Sequence, residues 1–253
     1  MSTRSRIRLR GRTLVAFTAI LALGALALPT PGQATAPPSL RLIAASSEHT
    51  AISYKGQPIP LALGIYVGSP EGDFELRATR PDYDTPMSLT RWVDGIETET
   101  LDASLLTPGL RGLDAFLHYE IRNKDGGIVV ETDTAFCPAT SGRQRLSDDS
   151  EIMPRYPVTG CWAMPFTKGT VWGIDRNWAA VAVDEYGATE DAFVELRKGR
   201  YTVEVSVNEP YRTLFGFPSG ADSATVKLKV EETDCYDYGY GYSTACERAR
   251  AEP

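Results

Sequence analysis

The chain of 253 residues carries 26 Lys+Arg against 33 Asp+Glu, a formal net charge of −7, and 42% of its residues are hydrophobic. An acidic protein repels phosphate backbones, so this composition argues against a nucleic-acid partner. The length without an N-terminal leader is enough for one large β domain or two small ones.

Residues 1–36 have the pattern of a cleaved secretory signal peptide. Five arginines precede an uncharged apolar run at residues 13–28, and the small residues Gly32, Ala34 and Ala36 follow it. The run is shorter than the roughly 20 residues that span a bilayer, which favours cleavage over an uncleaved anchor. Without the five arginines, 21 basic residues stand against 33 acidic ones, a balance of −12. We therefore expect a secreted, extracellular protein with no membrane span in the mature chain.

The four cysteines indicate two disulfides, because an exported chain meets oxidising conditions. Cys137, Cys161, Cys235 and Cys246 allow three pairings, of which we favour the two local ones, 137–161 and 235–246. A disulfide that closes the loop between Cys137 and Cys161 is expected to raise the free energy of unfolding by roughly 3 kcal/mol. No C-x-x-C pair is present in the sequence, so a metal-thiolate site is disfavoured.

Alternation of apolar and polar residues dominates the chain from Leu40 to Val230 and predicts short β-strands. Residues 117–131 read as a hairpin, because the sequence KDGG supplies a tight turn. Residues 200–207 and 223–230 form the clearest pair of strands. The residues predicted to face the core are Leu61, Leu63, Ile65, Val67, Phe74, Leu76, Ala78, Leu117, Tyr119, Ile121, Tyr201, Val203, Val205, Val207, Ala224, Val226, Leu228 and Val230.

These strands predict an all-β fold, an antiparallel β-sandwich of the immunoglobulin-like kind. The spacing of Leu196, Gly199 and Tyr201 is typical of the corner where a tyrosine hydroxyl bonds back to the chain in such domains. Lysines on the solvent face of residues 223–230 suit an edge strand. Residues 101–114 have room for one helical turn. We predict one sandwich at 37–233, with a disulfide-stapled loop at 137–161, and a Tyr/Gly-rich tail at 234–253.

Catalytic chemistry finds little support in the sequence. His49 reads as a loop residue, and His118 reads as a half-buried structural histidine in a strand. Two histidines cannot supply the three or four imidazoles of a copper or zinc site, and no G-x-S-x-G elbow is present. Asp148, Asp149 and Glu151 are predicted to form a solvated acidic turn rather than a calcium site. We therefore predict no catalytic residue, no metal ligand and no cofactor.

Two aromatic stretches are candidates for binding. Trp162, Trp172 and Trp178, with Phe166, could present a platform for stacking sugars, but burial is the favoured prediction because apolar residues lie among them. A long connection carries Tyr211, Phe215 and Phe217 between the last two strands. For these three rings, ligand contact and burial are equally supported, so we take them as candidate ligand-contact residues.

Several stretches resemble the amino-terminal region of secreted actinobacterial proteins of the lysyl oxidase family. They are DTAFCP, MPFTKGTVWGIDRNWA, LRKGRYTVEVSVNEPYRTLFGFP and ATVKLKV, and the resemblance covers roughly residues 40–233. In that family, a β-rich module of this kind precedes a copper-dependent oxidase domain. The family's histidine-rich copper motif, W-x-W-H-x-C-H-x-H, has no match here, so no catalytic or copper residue carries over.

We therefore predict a secreted, non-catalytic module for extracellular recognition or support. One alternative is a truncated or accessory part of a copper-dependent protein-lysine 6-oxidase. Another is a carbohydrate-binding module that uses the loop aromatics. The corresponding partners are an oxidase domain on another chain, a cell-wall or extracellular protein, or a glycan.

Overall fold

The computed structural model describes residues 39–162, 164, 166–183 and 192–233. These residues belong to one compact unit of the chain, residues 36–253. The predicted signal peptide, the predicted tail, and Cys235 and Cys246 with it, lie outside the described residues.

The described residues are mainly β-structure, as the sequence predicts. A 3-10 helix covers Ala103–Leu105, and a single helical turn, α1, covers Tyr211–Leu214. In chain order the strands are β1 (Arg41–Ala44), β2 (Glu48–Tyr54), β3 (Ile59–Pro60), β4 (Ile65–Ser69), β5 (Phe74–Thr79), β6 (Ser88–Val93), β7 (Ile96–Leu101), β8 (Leu113–Asn123), β9 (Ile128–Phe136), β10 (Arg143–Arg145), β11 (Gly169–Ile174), β12 (Trp178–Val181), β13 (Phe193–Val194), β14 (Gly199–Val207) and β15 (Ser223–Thr233).

The strands form several sheets that share one apolar core. A five-stranded sheet has the order β2-β15-β14-β8-β9, and two four-stranded sheets have the orders β1-β4-β12-β10 and β11-β5-β6-β7. Strands β13 and β3 form a short ribbon. Buried residues from all of these sheets belong to a single hydrophobic cluster. The predicted all-β sandwich is confirmed.

The hairpin predicted at residues 117–131 is formed by β8 and β9. The Oδ1 atom of Asn123 accepts hydrogen bonds from the backbone N–H groups of Asp125 and Gly127, both at 3.0 Å. Gly126 has φ of +84°, a conformation that glycine adopts without strain. These contacts explain why the sequence KDGG turns the chain here.

Strands β14 and β15 pair antiparallel over eight residues, from Gly199↔Val230 to Ser206↔Ser223. The hydroxyl of Tyr201 donates to the carbonyl of Arg197 at 2.8 Å, which is the predicted tyrosine corner. This bond holds the turn that enters β14.

The prediction that residues 223–230 form an edge strand is wrong. Strand β2 runs parallel to β15 on the side away from β14, with Lys227 opposite Glu48 and Thr233 opposite Tyr54. Alternation along a strand shows which side chains face the core, but it does not identify the neighbouring strands. The lysines of β15 therefore lie in the middle of a sheet face and not along its edge.

The predicted core is largely confirmed. All eighteen residues predicted to face inward are buried except Tyr201 and Ala224, which are partly buried and pack against the same cluster. Leu61 and Leu63 are buried, although they lie in the connection between β3 and β4 and not in a strand. The helical turn predicted within residues 101–114 is the 3-10 helix, where the Asp102 carboxylate accepts from the N–H of Ser104 at 2.9 Å.

Candidate functional site

His118 lies on the outer face of the five-stranded sheet and contacts two carboxylates. Its Nδ1 atom is 2.9 Å from Oδ1 of Asp133, and its Nε2 atom is 3.5 Å from Oε1 of Glu131. Ser206 is opposite His118 on β14, and the structure gives no hydrogen bond between their side chains. A nucleophilic triad needs a ring nitrogen directed at the serine hydroxyl, and here both nitrogens are directed at acids.

His49 lies in strand β2, opposite Leu228 of β15, so its prediction as a loop residue is wrong. Within the described part of the chain, no group of three or more His, Cys, Asp or Glu residues is placed to hold a metal ion. Asp148, Asp149 and Glu151 are exposed in a turn next to the buried Ser150. The Ser150 hydroxyl donates to the carbonyls of Ser147 and Asn177, both at 2.8 Å, which fastens this acidic turn to the sheet.

The predicted disulfide between Cys137 and Cys161 is present and spans a sequence separation of 24. It joins the end of β9 to the segment that leads into β11. Both cysteines pack against the hydrophobic core. The loop between them is therefore attached to the sandwich at both of its ends.

A buried arginine fastens the middle of the same loop. The Nη2 atom of Arg143 donates to the carbonyls of Pro138, Pro157 and Gly173 at 2.9, 3.0 and 2.7 Å. Its Nη1 atom lies 3.5 Å from Oδ2 of Asp175. Burial lowers the pKa of Arg143, and the Asp175 carboxylate opposes that effect.

Arg155 completes this network from the solvent side. Its Nε atom lies 3.1 Å from Oδ1 of Asp175, and its Nη2 atom pairs with Asp73. The hydrogen bond to Asp73 is the main reason that the pKa of Arg155 is raised. Sequence reasoning missed this network because nothing in a loop sequence shows which arginine will turn inward.

The candidate platform residues Trp162, Phe166, Trp172 and Trp178 do not form one platform. Trp172 and Trp178 are 1% and 7% exposed, so their predicted burial is confirmed. Trp162 is 68% exposed and Phe166 is 78% exposed, so the prediction of burial is wrong for Trp162. Trp172 and Trp178 lie on β11 and β12, where alternate side chains enter the core. Trp162 lies in the irregular segment after Cys161.

Tyr83 lies against the exposed ring of Phe166. The two ring centroids are 5.8 Å apart in an edge-to-face arrangement. The Nζ atom of Lys168 is 5.0 Å from the Tyr83 centroid, and the guanidinium carbon of Arg80 is 5.5 Å from it. Trp162 is a further exposed ring, four residues before Phe166 in the chain. We call Tyr83, Trp162 and Phe166 the exposed aromatic surface, in which only Tyr83 and Phe166 are in ring contact.

The candidate ligand-contact residues on the long connection are buried instead. Phe215 is inaccessible to solvent, and Tyr211 and Phe217 are also in the core. The Phe215 ring meets Phe74 edge-to-face at 4.9 Å, and Tyr211 lies 4.8 Å from Phe116. Rings that are covered on their faces cannot stack on a ligand, so the structure corrects this assignment to one of core packing.

The Tyr211 hydroxyl also ties the connection to the rest of the sandwich. It donates to the carbonyl of Asp114 at 2.5 Å and to that of Leu105 at 3.3 Å. Burial, followed by the nearby Asp114 carboxylate, raises the pKa of Tyr211.

The helices among the described residues are too short to cross a membrane. Comparison of the chain with protein-family models, with curated proteins and with solved structures finds no match. From its structure, the chain is an all-β protein with a disulfide-held loop.

Proposed function

We propose that the protein is a secreted, non-catalytic β-sandwich module for extracellular recognition or support. The observation that carries this proposal is the exposed aromatic surface, Tyr83, Trp162 and Phe166, beside the disulfide-held loop. Tyr83 and Phe166 are in ring contact, and Trp162 is exposed four residues before Phe166. Contiguous exposed apolar side chains commonly mark sites of interaction.

The surface is held by bonds on either side of its rings. Trp162 follows Cys161, which is fixed by the disulfide. The N–H of Arg80 donates to the carbonyl of Lys168 at 2.8 Å, and its Nε atom donates to that of Thr167 at 2.9 Å. A surface that is ordered before binding loses less conformational entropy when a partner arrives.

The chemistry of this surface favours a protein partner. Trp, Tyr and Arg are the residues most enriched among those that dominate binding energy at protein interfaces, and Phe is enriched at such interfaces too. Arg80 and Lys168 lie over the Tyr83 ring and would add polar contacts beside it. The resemblance to lysyl oxidase proteins supplies one specific candidate, a copper-dependent oxidase domain on another chain.

A carbohydrate-binding role is the second candidate. The rings first considered for it are buried, but Trp162 and Phe166 offer exposed faces. In this alternative, sugar rings would lie against those faces, and no protein partner would be needed.

The proposal is tested with the full chain and two pairs of substitutions. Trp162→Ala with Phe166→Ala removes most of the exposed aromatic surface. Ile52→Ala with Ile96→Ala removes two exposed apolar side chains from strands β2 and β7 and serves as the control. Binding is measured to a purified oxidase domain of the resembled family, to extracellular proteins of the source organism and to a glycan array.

We expect the first pair to weaken binding to a protein at least tenfold and the control pair to leave it unchanged. Glycan binding that depends on Trp162 and Phe166 would select the carbohydrate alternative. Oxidation of a lysine-containing substrate by the purified protein with added copper would contradict a non-catalytic role.

A further inference from the structure

A shallow basic groove runs across the outer face of the five-stranded sheet, on a different element of the fold from the exposed aromatic surface. Its volume is about 260 Å³. The described residues that line it come from β2, β14, β15 and the β8–β9 turn: Glu48, His49, Thr50, Lys124, Arg200, Tyr201, Thr202, Lys227, Leu228 and Lys229. We call this the basic groove.

Four cationic side chains converge on the basic groove, and Glu48 is the only acidic residue among the described residues that line it. Lys124, Arg200, Lys227 and Lys229 are all exposed. The chain as a whole has a net charge of −7. The basic groove is therefore a region of positive charge on a protein whose net charge is negative.

The strand register places two of these cations directly opposite each other. Arg200 of β14 pairs with Lys229 of β15, and Thr202 pairs with Lys227. Like charges on directly opposed residues of a sheet reduce its stability. Because β2 covers the far side of β15, the lysines do not protect an exposed sheet edge. Lys227 is opposite Glu48 of β2, a pair of opposite charges, whereas Arg200 and Lys229 form an opposed like-charge pair that stability of the sheet does not require.

Ion pairs between described residues neutralise only one of the four cations. Lys229 pairs with Glu231 at 2.5 Å, but none of the ion pairs between described residues involves Lys124, Arg200 or Lys227. Successive outward residues of one strand are about 7 Å apart, and neighbouring strands are about 4.8 Å apart. A single oxyanion can therefore reach cations from both β14 and β15.

We propose that the basic groove binds an anionic polysaccharide that carries sulfate or phosphate groups. Arginine forks and lysine ammonium groups are the side chains that bind such tetrahedral oxyanions. The groove is open and smaller than most small-molecule pockets, which suits a chain that lies across it and leaves one or two charged groups inside. The hydroxyls of Thr50 and Thr202 can donate to the same oxyanions.

The groove does not suit a single-stranded nucleic acid. Such ligands are held by bases that stack on exposed aromatic rings. Apart from the imidazole of His49, Tyr201 is the only ring among the described residues that line the groove, and its hydroxyl is bonded to Arg197. The choice of a polysaccharide also rests on the proposed extracellular location. The aromatic surface is not involved, so its proposed function and the groove are tested by separate substitutions.

The test measures binding of the full chain to heparin, a sulfated polysaccharide, in about 0.05 M salt, where exposed charges are only moderately screened. Arg200→Gln with Lys227→Gln removes two cations from the groove. Arg111→Gln with Arg176→Gln removes two exposed cations elsewhere and changes the net charge equally. Neutral dextran and single-stranded DNA complete the set of ligands, and the melting temperature of each variant is recorded.

We expect the groove pair to weaken heparin binding at least tenfold while the melting temperature changes little, because the substitutions remove one like-charge contact, Arg200 with Lys229, and one opposite-charge contact, Lys227 with Glu48. The control pair should bind within twofold of the unchanged protein, and dextran should not bind. Equal losses in both pairs would overturn the proposal, since they would show a response to net charge alone. No heparin binding, or DNA binding as tight as heparin binding with the same sensitivity to the groove pair, would also overturn it.

Discussion

Two connections of this protein each carry a pair of aromatic residues four positions apart, but their rings lie in opposite environments. Trp162 and Phe166 are four residues apart and exposed, whereas Tyr211 and Phe215 are four residues apart and buried. In the second connection, the N–H of Phe215 donates to the carbonyl of Tyr211 at 2.9 Å, which closes the turn α1. That turn puts both rings on the same side, where they enter the core.

Aromatic spacing alone therefore does not decide between exposure and packing. What decides is whether the local backbone turns the rings towards available apolar partners. Phe74 and Phe116 supply those partners for Phe215, with ring centroids 4.9 and 6.3 Å away. Phe166 has Tyr83, which is itself exposed.

The largest expected effect comes from truncating one ring in each connection. Phe215→Ala should lower the free energy of unfolding by about 3–5 kcal/mol, because it leaves a cavity in the core. Phe166→Ala should change it by less than about 0.5 kcal/mol, because the ring is exposed. Chemical denaturation of the two variants measures both values. Similar losses in the two variants would contradict the difference in burial between the two connections.

The next largest effect concerns the disulfide that holds the exposed connection. Replacing Cys137 and Cys161 by Ala should lower the free energy of unfolding by roughly 3 kcal/mol, because the unfolded chain is no longer restricted by a closed loop. Denaturation under non-reducing conditions measures this change. A change of less than about 1 kcal/mol would show that the Arg143 network alone fixes the loop.

Tyr211 allows a pH test of the buried connection. Its pKa is raised by burial and by Asp114. The unfolded chain therefore loses this proton first, and the free energy of unfolding should fall as the pH rises above about 10. Tyr211→Phe should lower the free energy of unfolding by about 1 kcal/mol at neutral pH, because the hydrogen bond to the Asp114 carbonyl is lost.

The same variant should also show a shallower decline in stability at alkaline pH, because one raised pKa has been removed. Denaturation at neutral pH and at several pH values above 10 measures both effects. An unchanged slope would assign the alkaline loss to Tyr119 and Tyr156, whose pKa values are also raised by burial.

The smallest expected effect is the coupling between Tyr83 and Phe166. A double-mutant cycle with alanine at both positions should give a coupling free energy of at most about 0.5 kcal/mol, the lower end for an edge-to-face pair. The corresponding cycle for Phe74 and Phe215 should give a larger value, because both rings are buried. Equal couplings would mean that solvent exposure does not weaken the exposed contact.

The sequence predicts those parts of the fold that depend on neighbouring residues. The hairpin of β8 and β9, the pairing of β14 with β15 and the bond from Tyr201 to Arg197 all involve short separations, and all are confirmed. Alternation also identifies the inward side chains, because it follows directly from strand geometry.

Features that depend on distant residues were not predictable. The parallel pairing of β2 with β15 joins segments far apart in the chain, and no local pattern encodes it. The same limit applies to the candidate sites. Trp162 and Phe166 differ from Phe215 only through backbone direction and partners, and the basic groove exists only because β2, β14 and β15 are neighbours.

The pairing of residues 48–54 with residues 227–233 has a consequence for the timing of folding during synthesis. Strand β15 is the only partner of β2 in the described sheets, so an emerging chain that has not yet reached residue 223 leaves β2 without a neighbour. The five-stranded sheet can therefore be completed only after translation has passed residue 223. Until then, β2 has no strand to pair with in this sheet.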